Sequence, residues 1–79
     1  MKLLVRNLAR TTTEHELRVL FQAHGTVTTC NLVLDQETGA SKGFGFVEMP
    51  DEKEANNAIN QLNQSKVANS KIRVKLAQN

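Results

Sequence analysis

The sequence predicts an α+β fold of the ferredoxin-like kind, a β-α-β-β-α-β sandwich with two helices on one face of a four-stranded antiparallel sheet. Two observations carry this prediction. Two stretches of helical apolar spacing each follow a capping box, Thr13 with Glu16 and Asp51 with Glu54. Four stretches of strand-like alternation surround them, one before the first helix, two between the helices and one after the second. Right-handed crossovers reduce that order to the split βαβ arrangement. No internal repeat, low-complexity tract or linker interrupts the 79 residues, so residues 1–79 read as a single domain.

Leu3 to Leu8 gives the first strand, with Leu3 and Val5 alternating against Leu4 and Arg6. The helix after Thr13 has Leu17, Leu20 and Phe21 on its apolar face, and Gly25 is placed to end it. Val27 to Leu34 is rich in β-branched residues and forms the second strand. The polar stretch DQETGASKG turns the chain, and GFGFVEM alternates again as the third strand. Pro50, the only proline, precedes the second helix, in which Ala55, Ala58, Ile59 and Leu62 recur at helical spacing. Lys71 to Leu76 alternates charged and apolar residues as the last strand.

A domain of this size buries only about 60 to 65% of the surface its unfolded chain exposes, which leaves no room for a deep enclosed substrate cavity. The single cysteine, Cys30, excludes an intramolecular disulfide framework and a cluster of thiolate metal ligands; it reads as a small buried apolar residue in a reducing compartment. His15 and His24 flank the first helix as exposed or packed residues, and nothing in the sequence calls for a metal or cofactor. No apolar run is long enough to span a bilayer, and MKLLVRNLAR lacks the apolar core and cleavage site of a signal peptide. The expectation is a soluble cytoplasmic protein, or a nuclear one if the chain is a domain excised from a longer eukaryotic protein.

Two helices on one side of the sheet leave the other side bare. Alternation assigns Leu3, Val5, Cys30, Leu32, Val47, Met49, Ile72 and Val74 to the covered side. The bare side then receives Leu4, Arg6, Asn31, Val33, Phe44, Phe46, Glu48, Arg73 and Lys75. Of three aromatic residues in the chain, two stand two positions apart on this exposed face, an arrangement that calls for a partner. Charge is segregated in the same sense. Segments 1–10, 42–49 and 71–79 carry seven cations against Glu48 alone, net +6, whereas the remainder carries three cations against seven carboxylates, net −4. The overall +2 thus conceals a basic sheet and acidic helices and loops. Cations interleaved with exposed rings suit a single-stranded nucleic acid, whose bases stack on the rings while its phosphates meet Lys and Arg.

The segment Lys42-Gly43-Phe44-Gly45-Phe46-Val47-Glu48-Met49 resembles the ribonucleoprotein octamer of the RNA-recognition motif family, departing only at Met49, which alternation turns inward. Gly43 and Gly45 read as keeping the strand open to close approach of a ligand. Leu3-Leu4-Val5-Arg6-Asn7-Leu8 resembles the family's shorter hexamer, with leucine at position 4 where the family usually exposes an aromatic ring. The likeness runs nearly end to end. AINQLNQSKVANSKIRVKLA is similar to the family's second helix, short hairpin and last strand, and Asn69 falls where the family often has a glycine, a position for left-handed backbone. A cold-shock barrel shares a KGFGF core but not the helix capped by Asp51. With Met1 two residues before the first strand, the chain resembles the short single-module proteins of bacteria.

The resemblance implies Phe46 as the main base-stacking ring and Phe44 as a ring packing against riboses or between nucleotides. Arg6, Lys42, Arg73 and Lys75 are expected to meet phosphates or base edges, with Leu4 as the substituted platform. Asn31, Val33, Glu48, Ala77 and Gln78 are weaker RNA-binding candidates. The expectation is a monomeric, non-enzymatic module for single-stranded RNA, able to accept single-stranded DNA, with weak and broadly tolerant binding, acting as an RNA chaperone or post-transcriptional regulator. The loss of a ring at Leu4 motivates a protein-interaction module of the same fold as the alternative. A third reading, an acylphosphatase-like enzyme, needs an anion-cradling loop after the first strand, and NLARTTTE supplies no glycine for it.

Overall fold

The computed structural model describes residues 1–77. The chain forms β1 (Lys2–Arg6), α1 (Glu14–Gln22), β2 (Thr29–Leu34), β3 (Ser41–Glu48), α2 (Glu52–Leu62), β4 (Lys66–Val67), β5 (Ser70–Lys71) and β6 (Arg73–Ala77). Strands β2, β3, β1 and β6 lie in that order in a four-stranded sheet whose neighbours are all antiparallel, and β4 and β5 form a separate two-stranded hairpin. The predicted fold is the observed one.

Both helices turn their apolar stripes onto one side of the sheet. Leu3, Val5 and Val47 from the strands, Met49 and Ile72 from positions flanking them, and Leu17 and Phe21 from α1 are fully buried there. Ala55, Ala58 and Leu62 of α2 complete the core. Of the residues assigned to the covered side, Leu32 alone is only partly buried. Cys30 lies in this core, and burial pushes its thiol above the ordinary cysteine range.

The ends of elements differ from the sequence reading for local reasons. β1 stops at Arg6 because Asn7 adopts a left-handed backbone at φ 59, and its Nδ2 donates to the Lys71 carbonyl at 2.7 Å. The Thr13–Glu16 capping box is complete: Glu16 N–H donates to the Thr13 hydroxyl at 3.1 Å and Thr13 N–H to the Glu16 carboxylate at 2.9 Å. The Asp51–Glu54 box is only half made. Asp51 accepts from Glu54 N–H at 3.0 Å, but the Glu54 carboxylate reaches the loop before β2 and accepts from Thr26 N–H at 3.0 Å. That cross-connection also explains Gly25. Helix α1 ends at Gln22, whose carbonyl accepts from Gly25 N–H at 3.4 Å, and a Cβ on Gly25 would stand 2.6 Å from Glu54 Cβ, so the glycine also permits contact with α2. In the β4–β5 hairpin Ala68 (φ 50) and Asn69 (φ 67) both take left-handed backbone, the pattern of a type I′ turn, and Asn69 fills the role expected of it.

Candidate nucleic-acid interface

Strand register sets the open face in rows. Asn31 pairs with Phe46, Phe46 with Leu4, and Leu4 with Lys75, so one row across the whole sheet reads Asn31, Phe46, Leu4, Lys75. The neighbouring row toward one end reads Thr29, Glu48, Lys2, Ala77. Toward the other end come Phe44 on β3 and the directly opposed pair Arg6 and Arg73 on β1 and β6. Two guanidinium-bearing residues face to face are unfavourable without an anion between them.

Phe44 and Phe46 are half-buried, as is Leu4, whereas Arg6, Lys42, Arg73 and Lys75 are exposed. The two rings lie 6.4 Å apart between centroids and 84° to one another. Perpendicular rings cannot both lie parallel to one planar group, so at most one could offer its face to such a group. The Phe46 ring is not bare: Lys2 Nζ sits over it, 4.6 Å from its centroid.

Three shallow depressions meet at Arg6. One is lined by Arg6, Asn7, Arg10, Lys42, Gly43 and Phe44, a second by Arg6, Asn7 and Arg73, and a third by Arg6, Asn63, Arg73 and Lys75, with no carboxylate among the described residues that line them. Lys42 also borders a depression with Val33, Asp35 and Glu37, so it stands between the basic face and an acidic loop. Asp35 shapes that loop by accepting from Glu37 and Thr38 N–H at 2.8 and 3.1 Å, and these bonds hold its carboxyl below the usual carboxylate range.

The structure therefore brings Leu4, Arg6, Lys42, Phe44, Phe46, Arg73 and Lys75 onto one face. Asn31 is exposed beside Phe46, and Glu48 and the half-buried Ala77 flank Lys2. Val33 lies at a register shift in β2, displaced from the ring rows toward Lys42. Gln78 is outside the described residues. Lys2 and Arg10 are among the seven cations of the sheet segments but not among the residues the sequence singles out; the alternation that exposes Leu4 and Arg6 extends to Lys2.

One reading is overturned for Gly45, which does not open the strand to a ligand because it is buried on the covered side, opposite to the rings; Gly43, though buried, borders the depression of Arg6, Lys42 and Phe44. A Cβ on Gly45 would come within 2.6 Å of the Asn31 carbonyl and 3.3 Å of Leu17 Cδ2, and Gly43 has φ 86 with the Leu8 carbonyl 3.2 Å from where its Cβ would stand. Gly45 is a glycine so that β2 backbone and α1 can approach, and Gly43 so that the strand can take positive φ beside the Leu8 carbonyl.

Among the described residues no group of three or more His, Cys, Asp or Glu side chains could hold a metal ion, and no helix is long and apolar enough to cross a membrane. The family model for the RNA recognition motif matches residues 3–73. The mitochondrial glycine-rich RNA-binding protein 4 of Arabidopsis thaliana is 41% identical over 76 residues, covering 96% of this chain and 56% of that protein. A sex-lethal homolog of Chrysomya rufifacies is 39% identical over 95% of this chain and 24% of its own length, so the chain spans half or less of several relatives. Among solved structures, the crystal structure of the RNA-binding protein PG1 superimposes with a TM-score of 0.96 at 42% identity, covering 100% of this chain and 95% of that one. A sex-lethal protein in complex with RNA superimposes at 0.93 with 36% identity, covering 99% of this chain and 47% of that one.

Proposed function

The chain belongs to the RNA recognition motif family, and on that premise we propose that it binds single-stranded RNA across the open face of its sheet. The observation that carries this reading is the placement of Phe44 and Phe46 beside Arg6, Lys42, Arg73 and Lys75 on the one side of the sheet that no helix covers. Phe46 serves as the base-stacking floor and Phe44 as the side-on ring against a ribose or the next nucleotide, a division that the perpendicular rings support. Arg6 and Arg73 take a phosphate between them, which relieves their mutual repulsion. Lys75 and Lys42 meet the backbone to either side.

Stacking on an aromatic ring is worth roughly 1 to 3 kcal/mol per base, and Leu4 withholds one such ring, so affinity is weak, about micromolar or looser. Recognition through π-faces and phosphates tolerates many sequences and accepts single-stranded DNA as well. A monomeric cytoplasmic binder of this kind acts as an RNA chaperone or post-transcriptional regulator, not as an enzyme; its depressions are open and lined mainly by polar groups. Fluorescence anisotropy of a labelled pool of short RNAs at several salt concentrations tests the electrostatic part. With about two to four phosphates neutralised, log affinity falls against log salt with a slope of about −1.5 to −3. An affinity independent of salt contradicts it.

A further inference from the structure

We propose that Lys2 is an exchange residue of this interface: its ammonium occupies the Phe46 ring in the free protein and moves to a phosphate when a base takes its place. The inference rests on the reading of Phe46 as the stacking floor. Lys2 and Phe46 are diagonal neighbours, since Lys2 pairs with Glu48 and Leu4 with Phe46 along the same two strands. The ammonium stands 4.6 Å from the ring centroid. A base stacked at van der Waals distance needs that same space, so ammonium and base exclude one another. Lys2 must leave the ring for stacking to occur, and it leaves from a half-exposed position at the edge of the basic face, within reach of the backbone of the nucleotide that displaced it.

The exchange gives one side chain two opposed effects on affinity. Covering the ring competes with every base and is weakened little by salt, because the ammonium and ring are in direct contact. Meeting the phosphate favours RNA and fades as salt rises. At low salt the second effect prevails, and at high salt the first does.

Anisotropy with an oligouridine pool, measured from 20 mM to 1 M salt on the wild type, Lys2→Ala and Phe46→Ala, reads this out. Lys2→Ala is expected to bind about 2- to 5-fold more weakly at the lowest salt and about 2-fold more tightly at the highest, with a slope shallower by about 0.7, so that the two lines cross. In parallel, the Lys2 side-chain methylene protons in the free protein are shifted upfield by the ring, and move downfield as RNA saturates it. Lines that stay parallel, a variant indistinguishable from wild type, or methylene shifts unchanged at saturation overturn the exchange. Phe46→Ala separates the two levels: if it binds RNA as the wild type does, the stacking floor itself is wrong; if it loses binding while Lys2→Ala shows no crossing, only the exchange is wrong.

Discussion

Replacing Leu4 with phenylalanine is expected to tighten binding of single-stranded RNA about 5- to 150-fold at fixed salt, the equivalent of one added stacking ring at roughly 1 to 3 kcal/mol. Leu4 stands directly across from Phe46 and directly across from Lys75, in the middle of the open face. It is half-buried among open-face neighbours and takes no place in the core, so a larger side chain has solvent to grow into. Leucine already gives a base some apolar surface to cover, which draws the gain toward the lower end. Anisotropy against the same RNA pool measures it, with an unchanged melting temperature as the control. No gain in affinity would mean that bases do not reach the β1 side of Phe46.

Gly45→Ala is expected to act on the fold and not on the ligand. Its new Cβ would meet the Asn31 carbonyl at 2.6 Å, backbone that cannot move without disturbing the β2–β3 ladder, and Leu17 Cδ2 at 3.3 Å in the core. Overpacking of this kind costs about 1 to 3 kcal/mol, a large share of the stability of a small domain. Each kcal/mol lowers the melting temperature by about 4 to 8 °C at this size. Thermal denaturation followed by circular dichroism checks the loss. Gly39→Ala is the comparison: nothing lies within 4 Å of its would-be Cβ, so at φ 75 it carries only the backbone strain of a left-handed alanine. A Gly45→Ala protein with wild-type stability and impaired RNA binding would restore the ligand-approach role that the structure removes.

The sheet's two faces were legible in the sequence because strand alternation has period two and the helices cover one side only. Leu3 and Val5 against Leu4 and Arg6, or Val47 against Phe46 and Glu48, sort themselves without any knowledge of neighbours. What the sequence could not show lies in contacts between elements distant along the chain. Glu54 looks like half of a local capping box until the loop at Thr26 is folded against it, 28 residues away. Gly45 looks like an accommodation to a ligand until β2 and Leu17 are in place behind it. The hexamer's length set β1 too long, because Asn7 leaves the strand to bond the Lys71 carbonyl. Lys2 is a different case. The sequence counts it only among the basic charges; alternation would extend the open face to it, but only strand register brings its ammonium over Phe46.

The most direct measurement is a two-dimensional NMR titration of the wild type and Phe46→Ala with a pool of short single-stranded RNAs at low salt. The expected shifts concentrate on residues 2–6, 42–48 and 71–77, and Phe46→Ala, whose ring lies on the open face outside the core, keeps its dispersed spectrum while losing most of them. Shifts confined to α1 and α2, or a Phe46→Ala protein that responds to RNA as the wild type does, contradict binding on the open face.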